Sequence, residues 1–586
     1  MEGWMGKILW VDLSKQSFQI KPLDKNIIRD FIGGRGSGVK ILYDHLKKGT
    51  DPFSEKNLLI FATGPLTGTP VPMSGRFSAI TLSPLTKTIL DSNCGGNFGL
   101  QLKHAGFDML VIEGKAKKII YLAITPDNIK FENAEDLKGK TTIETRNIIE
   151  KKEKKKGSVV TIGPAGENKV RFASAENDGR FLGRGGIGAV MGSKNLKAIY
   201  AKGDKKIKVA DPKSLEFFIY ESRKWLKANP ITSTGLPKFG TAVLMNIVHE
   251  AGILPINNFK SNQFASASDL SGEEVTEKLF IKKRACYRCP VACGRITKTS
   301  SKQGEGPEFE TLWSLGALLG INDISWVAET GYLCNELGLD TISAGSTIAC
   351  AMEMEEKGFI SVGLKFGKKE NIHKVLKDIA FRENIGNEMA EGSLLFSRKF
   401  GTGNESISVK GLELPAYDPR SAHGMALAYV TSNRGGCHLR AYMIAPELLG
   451  IPKKIDRFSD NGKAGLVAVM QDSAAASDSL IICRFASFAI SDEYFSRLLS
   501  AVTGEDISTM NFRLIGERIF NLERLFNLRE GFSFKDDNLP SRLILENLNK
   551  KRKINIDKML NEYYRFRGWD DNGVPTSKKL EMLGLK

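Results

Sequence analysis

The chain has 586 residues, too many for one ordinary core, so about two to four domains are expected. Apolar content of 41% and charged content of 26% exclude a disordered chain and fit a globular one. The excess of 84 basic over 67 acidic residues, a formal +17, suits nucleic acid, a membrane surface or an acidic protein; no nucleic-acid motif accompanies it, and an acidic electron carrier is one candidate user of that field.

Met1 to Trp10 shows no basic stretch followed by an apolar segment, so no signal peptide is read there, and no apolar run is long enough to span a bilayer. A cytoplasmic protein is expected. Short apolar segments then recur between turns: Lys7–Val11, Asn57–Ala62, Phe77–Thr81, Met109–Glu113, Ile119–Ile124 and Val159–Ile162. Helical stretches such as Ser37–Lys47 interrupt them. The polar segment 202–208 reads as a linker. Beyond it the apolar period changes to that of helices, over Pro212–Ala228, Val275–Lys283, Ile324–Leu337, Thr341–Lys357, Lys463–Ser479 and Leu514–Glu530. No repeat at solenoid periods is present. The lysine runs 151–156 and 550–553 read as solvated helix ends or loops.

Eight cysteines in this length do not make a disulfide scaffold, and Cys334 and Cys350 lie in helix-like apolar sequence that suits core packing. Cys286, Cys289 and Cys293 differ. They form a Cys-x2-Cys-x3-Cys run in which thiolates can wrap one soft metal centre, but a fourth ligand is missing. A structural zinc wants a second Cys pair or a His pair, and neither is nearby. A radical-forming cluster uses the opposite order, Cys-x3-Cys-x2-Cys. An electron-transfer [4Fe–4S] cluster wants four thiolates, and Cys483 is the best distant candidate. Zinc and no metal at all remain open on spacing alone.

Glycine-rich loops crowd the N-terminal third: Gly33–Gly38, Gly64–Gly68, Ser74–Phe77, Asn93–Gly96, Gly163–Gly166 and Gly183–Gly186. The first precedes a helix but fails the dinucleotide pattern. The others, several with an Arg or Asn, can present backbone N–H groups and guanidinium forks to phosphates, although each alone reads as a tight turn. Together they fit a bulky phosphorylated cofactor better than a nucleotide. Acid–base candidates are Glu305, Glu308 and Glu310 before a helical segment, and His438 after a glycine pair. Glu370 and His373, at i, i+3, would share a helix face.

With these residues assembled, the chain resembles the tungsten-dependent aldehyde:ferredoxin oxidoreductase family over nearly its whole length, from Gly6-Lys-Ile to Tyr564-Arg-Phe-Arg-Gly-Trp569. The segments that carry the likeness are Gly64-Pro-Leu-Thr-Gly-Thr69, Gly163-Pro-Ala-Gly-Glu-Asn168, Gly188–Ala198, Leu414-Pro-Ala-Tyr-Asp-Pro-Arg420 and Glu517–Asn527. The resemblance implies an α+β fold, with an N-terminal β-rich pterin-binding domain (1–208) followed by two mainly α-helical domains, 209–408 with the cysteine triplet and 409–586 with His438 and Cys483. It implies tungsten, or molybdenum in its place, held by two pyranopterins beside a [4Fe–4S] cluster. Cys286, Cys289, Cys293 and Cys483 would ligate the cluster. Arg76, Asn93, Gly95, Arg180, Gly183 and Arg184 would hold the pterin phosphates and their bridging Mg2+. Leu339, Asp340, Arg434, Gly435 and Asp478 would contact the pterin rings, and Glu310 and His438 would face the metal.

The implied reaction oxidises an aldehyde to a carboxylic acid and passes electrons singly to ferredoxin or a ferredoxin-like subunit. The alternatives are a low-potential reductase of acids or thioesters and a non-catalytic iron–sulfur relay. A homodimer or hetero-oligomer is implied, with Glu329 and His373 at the positions of a dimer-bridging metal. The chain departs from the family pattern in four places. Asn335 stands for an Asp, Arg440 for a Lys, and Tyr332 for the His of the first Glu-x-x-His motif. The loop before Gly183-Arg184 is one residue shorter.

Overall fold

The computed structural model describes residues 1–154, 156–546, 548 and 553–586. Parts of both lysine runs, Lys155 and residues 550–552, thus lie outside the described residues. Among the described residues, the N-terminal strands form two six-stranded sheets. The first holds β1 (Lys7–Asp12), β2 (Ser17–Pro22), β3 (Leu59–Ala62), β4 (Phe77–Leu82), β5 (Ile89–Cys94) and β6 (Met109–Glu113), ordered β2-β1-β6-β3-β4-β5. The second holds β7 (Ile120–Ile124), β8 (Ile129–Asn133), β9 (Ser158–Ile162), β10 (Ala175–Asn177), β11 (Arg180–Leu182) and β12 (Leu196–Ala201), ordered β11-β10-β9-β12-β7-β8.

The two orders are one topology used twice. In each sheet the first and sixth strands pair in parallel and every other pair is antiparallel. A helix lies between the second and third strands, at Gly34–His45 and Thr142–Lys152. Another lies between the fifth and sixth, at Phe98–His104 and Ile187–Ser193. The segments Gly64-Pro65 and Gly163-Pro164 follow the third strand of each unit.

Strand periodicity explains how the sheets pack. Leu9, Val11, Phe61, Leu110 and Ile112 face Leu122, Ile124, Val160 and Ile199 in a core shared by both sheets. The alternate residues Ile8, Trp10, Ile60, Ile80 and Val111 meet helices instead. Gly36 and Gly38 lie inside the helix Gly34–His45 rather than in a loop before it. A Cβ on Gly38 would stand 2.4 Å from Ile80 Cδ1 of the sheet and one on Gly36 2.6 Å from Ile519 Cδ1 of the helix Thr509–Arg529, so their role is close packing and not a phosphate turn.

The rest of the chain is mainly helical, as the periodicity predicts. Pro212–Ala228, Ile324–Leu337, Thr341–Glu356, Lys463–Leu480 and Thr509–Arg529 are helices. Cys334 and Cys350 are buried in the largest core. Among the described residues, no helix is long and apolar enough to cross a membrane.

Two local expectations fail. Val275–Lys283 is not one helix: a single π-turn, Val275–Leu279, gives way to the strand Phe280–Arg284, which pairs antiparallel with Gly294–Lys298. That pairing makes residues 285–293, with all three clustered cysteines, the tip of a β-hairpin. Glu370 and His373 do not share a helix face, because the helix begins at Ile372 behind a left-handed Asn371.

Candidate active site

Segments from all parts of the chain converge on one cavity of about 430 Å3. The ends of β4, β5 and β11 bring Arg76, Asn93, Gly95, Arg180, Gly183 and Arg184. The cysteine hairpin brings Cys286, Cys289 and Cys293. The N-terminus of the helix Phe309–Leu315 brings Glu310. The junction between two helices brings Leu339 and Asp340, whose carboxylate accepts the N–H of Ile342 and Ser343 as an N-cap. The loop after His423–Thr431 brings Arg434 and His438. The last turn of Lys463–Leu480 brings Asp478, and the turn beyond it Cys483. Of the residues expected to bind pterin, only Gly435 is set back from the wall. Its φ is +97° and a Cβ there would meet Leu412 Cβ and Val409 O at 2.8 Å, so it lets the loop pack closely and frees Arg434 to reach the cavity.

The wall is dense in guanidinium groups, with Arg184, Arg434 and Arg440 buried and Arg76 and Arg180 half-buried. Arg76 donates from Nε to Asn93 Oδ1 (2.5 Å) and lies 3.7 Å from Cys483 Sγ. Arg184 reaches Asp340 (3.3 Å) and the carbonyls of Gly436 and Glu413. Arg434 donates to Asp91 O (2.6 Å) and Cys437 Sγ (2.9 Å). Arg440 grips both oxygens of Asp91 at 2.7 and 2.8 Å. Arg180 is held by Glu305 (3.3 Å) and Glu308 (3.2 Å). Burial opposes ionisation of Asp91, but Arg440, Arg35 and Arg434 overcome it and hold the carboxyl well below the usual range.

Arg180 Nη2, Arg434 Nε and Arg440 Nε are buried without a protein acceptor, and so are Glu310 Oε1 and His438 Nδ1 without a partner of their own. Buried polar groups need partners. Orphaned guanidinium donors around a shared cavity fit an anionic group such as a pterin phosphate.

The four thiols also fit their expected group. All four are free and line the same cavity. Cys286 Sγ would stand 2.9 Å from a Cβ on Gly95, so the hairpin presses against the end of β5. Burial pushes the Cys289 thiol up to about 11 and Cys293 higher still. A metal centre would have to displace those protons, as thiolate ligation requires. Among the described residues, no three His, Cys, Asp or Glu side chains converge closely enough for a single ion. Four thiols on the wall of one cavity match the ligand number of a [4Fe–4S] cluster.

Glu310 and His438 meet at 3.8 Å between Oε1 and Nε2. This is no ion pair, because both are driven toward their neutral forms. Burial raises Glu310 to about 8, against the pull of the Ala416 N–H (3.1 Å) and Arg184. Burial, and then the charges of Arg184, Arg434 and Arg440, hold His438 well below its usual value. A carboxyl and an imidazole poised this way can exchange protons with a substrate.

Glu329 and His373 lie away from the cavity. Glu329 Oε1 accepts from Thr299 and Ser301 at 2.5 Å each. His373 pairs with the Thr330 hydroxyl at 2.7 Å and stacks on Trp326. Tyr332 points inward and shares a 2.5 Å hydrogen bond with Thr297.

Sequence reasoning missed two sets of residues. Arg35, Asp91 and Glu523 form a buried charge network behind Asp478; Arg35 and Glu523 lie inside segments singled out in the sequence, Gly33–Gly38 and Glu517–Asn527, but nothing there marks them as charge partners. Tyr417, Tyr442, Phe485 and Phe488 line the cavity beside His438, and isolated aromatics read as core.

A cavity lined by buried cations and four free thiols, with a carboxyl and an imidazole meeting at its wall, suits the class of cofactor-dependent oxidoreductases. The profile described as "Aldehyde ferredoxin oxidoreductase, N-terminal domain" matches residues 8–203, and that described as "Aldehyde ferredoxin oxidoreductase, domains 2 & 3" matches residues 218–585. The tungsten-containing aldehyde ferredoxin oxidoreductase of Pyrococcus furiosus is 42% identical over 100% of this chain and 99% of its own length. The WOR-like subunit of an aliphatic sulfonate oxidoreductase from the same organism is 31% identical over 100% and 97%. A solved chain of the active site complex BamBC of benzoyl coenzyme A reductase superposes with a TM-score of 0.87 at 26% identity, covering 100% of this chain and 97% of its own. The chain belongs to the aldehyde ferredoxin oxidoreductase family and is an oxidoreductase of that family.

Proposed function

We propose that this enzyme oxidises an aldehyde to a carboxylic acid: RCHO + H2O gives RCOOH, two protons and two electrons. The observation that carries the reading is the convergence of Glu310 and His438 in a cavity that four thiols also line. Arg76, Asn93, Gly95, Arg180, Gly183 and Arg184 would hold the phosphates of two pyranopterins with Mg2+, and Leu339, Asp340, Arg434, Gly435 and Asp478 would hold their rings. Cys286, Cys289, Cys293 and Cys483 would ligate a [4Fe–4S] cluster. When bound, the tungsten bis-pyranopterin supplies the two-electron acceptor and the cluster its one-electron outlet.

The chain's own part is proton management. Glu310, as carboxylate, takes a proton from water or the hydrated aldehyde. His438, neutral and buried, donates an N–H to the developing oxyanion. The arginine-rich wall keeps that proton traffic in a fixed, water-poor field.

On this reading residues 1–208 bind the pterins, while 209–408 and 409–586 supply the cluster ligands and the acid–base pair. The basic surface would steer an acidic ferredoxin or ferredoxin-like subunit in the cytoplasm. Glu329 and His373 would offer an intersubunit metal their side chains only by giving up the hydroxyl partners they now hold. The likeness to a benzoyl coenzyme A reductase chain keeps a low-potential reductase as the second reading.

Anaerobic purification, elemental analysis and a viologen-linked aldehyde panel test the proposal. Tungsten together with iron, and dye reduction matched by carboxylate formation, are expected. Iron without tungsten and no aldehyde-dependent reduction would overturn it. Reductase activity on thioesters with no aldehyde oxidation would establish the second reading instead.

A further inference from the structure

Beside the acid–base pair the cavity wall changes character. The His438 ring stands 6.0 Å from Tyr442, Tyr442 6.1 Å from Phe488, and Phe488 6.2 Å from Phe485, the last two nearly parallel at 12°. All four side chains line the cavity. Tyr442 is buried, while Phe488 and Phe485 are half-buried, so the file runs from the reacting end toward solvent.

The polar tip of the file is already used. The hydroxyls of Tyr442 and Tyr417 hydrogen-bond to each other at 3.0 Å. What the wall offers a visitor is therefore ring faces and edges. Phe485 and Phe488 ride on one short turn, Arg484–Phe488, which begins directly after Cys483. That turn is pinned at both ends: the Cys483 N–H donates to Met73 O (3.0 Å) and Asn229 Nδ2 to Phe488 O (2.8 Å). These bonds fix the backbone that carries the two rings. Phe485 packs with one hydrophobic core and Phe488 with another, so the turn sits at their seam.

We infer that the Phe485–Phe488–Tyr442 file is the substrate passage and that it selects aryl or arylalkyl aldehydes over short aliphatic ones. The inference rests on the aldehyde-oxidising reading of the site. Aromatic rings pair edge-to-face or offset at the spacings seen here, and such contacts add to simple apolar burial. Arg484 begins the same turn and lines the cavity too, its guanidinium donating to Ser477 Oγ at 3.2 Å, so the apolar contacts of the passage are its rings. Those rings offer a short alkyl aldehyde little besides space, whereas an aryl group can contact more than one of them. Tyr442 and Phe488 act here as specificity-determining residues; Glu310 and His438 keep the chemistry.

The test compares wild type with Phe488→Ala and Phe488→Leu in the holoenzyme, after tungsten, iron and the iron–sulfur EPR signal confirm intact loading. With phenylacetaldehyde, kcat/KM should fall about tenfold in Phe488→Ala, mostly through KM, while acetaldehyde changes less than about threefold. Phe488→Leu, which fills the space without a ring, should lose most of the same selectivity. Equal losses on both aldehydes, or an unchanged ratio, would overturn the passage. A second measurement needs no turnover: calorimetry of phenylacetate and acetate binding. Tighter phenylacetate binding that Phe488→Ala abolishes supports the passage even if aldehyde oxidation itself fails. Equal binding of the two acids rejects the passage while leaving the reaction standing.

Discussion

Glu310 carries two linked predictions. Glu310→Gln should retain tungsten and iron but lower turnover by roughly 10²–10⁴-fold, the span of a lost general base. The wild-type rate should rise with pH, reach half its maximum near 8 and level off above that, because burial raises the Glu310 carboxyl to about 8 and only its ionised form accepts a proton. The sign for stability is opposite. A carboxyl raised above its unfolded value binds more protons when folded, so its contribution falls as pH climbs from about 4.5 to about 8. Thermal melts of Glu310→Gln against wild type should therefore favour the variant more at pH 8 than at pH 5, and a pH-independent difference would contradict the buried-carboxyl account. Much of this site is legible in the chain. Three thiols in eight residues announce themselves, and acidic residues before a helix and a His after a glycine pair are readable candidates. Asp91 and Arg35 are not, because a lone Asp or Arg in a strand or helix carries no sign that it will be buried against opposite charge.

Among the elements, long helices were predictable because a continuous apolar stripe requires only local sequence. Pro212–Ala228 and Ile324–Leu337 match their predicted limits. The three-residue strands β10 and β11 were not predictable, since sequences such as Ala175-Glu-Asn177 become strands only by pairing with distant neighbours. In the cysteine hairpin a nearer partner decides: pairing of Phe280–Arg284 with Gly294–Lys298 overrides an apolar helical period. The duplicated units make a further point. Gly64 abuts the carbonyl of Leu480 and Gly163 that of Leu337, each the last residue of a helix from the helical part. A Cβ would stand 2.6 Å from the first carbonyl oxygen and 2.4 Å from the second. Gly64→Ala and Gly163→Ala should each lower stability by about 1–3 kcal/mol in denaturant titrations, the usual range for overpacking. A neutral result at both would remove these glycines as docking points.

At the scale of the whole molecule, Arg35 ties the first sheet's helix to the helices that complete the site. It is fully buried and reaches Glu523 at 2.7 Å, Asp478 at 3.2 Å and Asp91 at 3.6 Å. Arg35→Ala would leave three buried carboxylates with one fewer cation, and breaking such a network typically costs about 3–5 kcal/mol. Equilibrium unfolding should report a loss of that size, and a change below about 1 kcal/mol would mean the network relaxes without it. The globular class, the β-rich start, the helical remainder and the candidates for metal and proton chemistry are all readable in the chain. Those features depend on composition, local period and motif spacing, which act over a few neighbours. That one topology is used twice, that the cysteines sit on a hairpin tip, and that aromatic rings line the cavity beside Glu310 and His438 emerge only from the folded chain. These depend on which distant surfaces bury each other, and that choice is made by the whole core at once rather than by any segment of it.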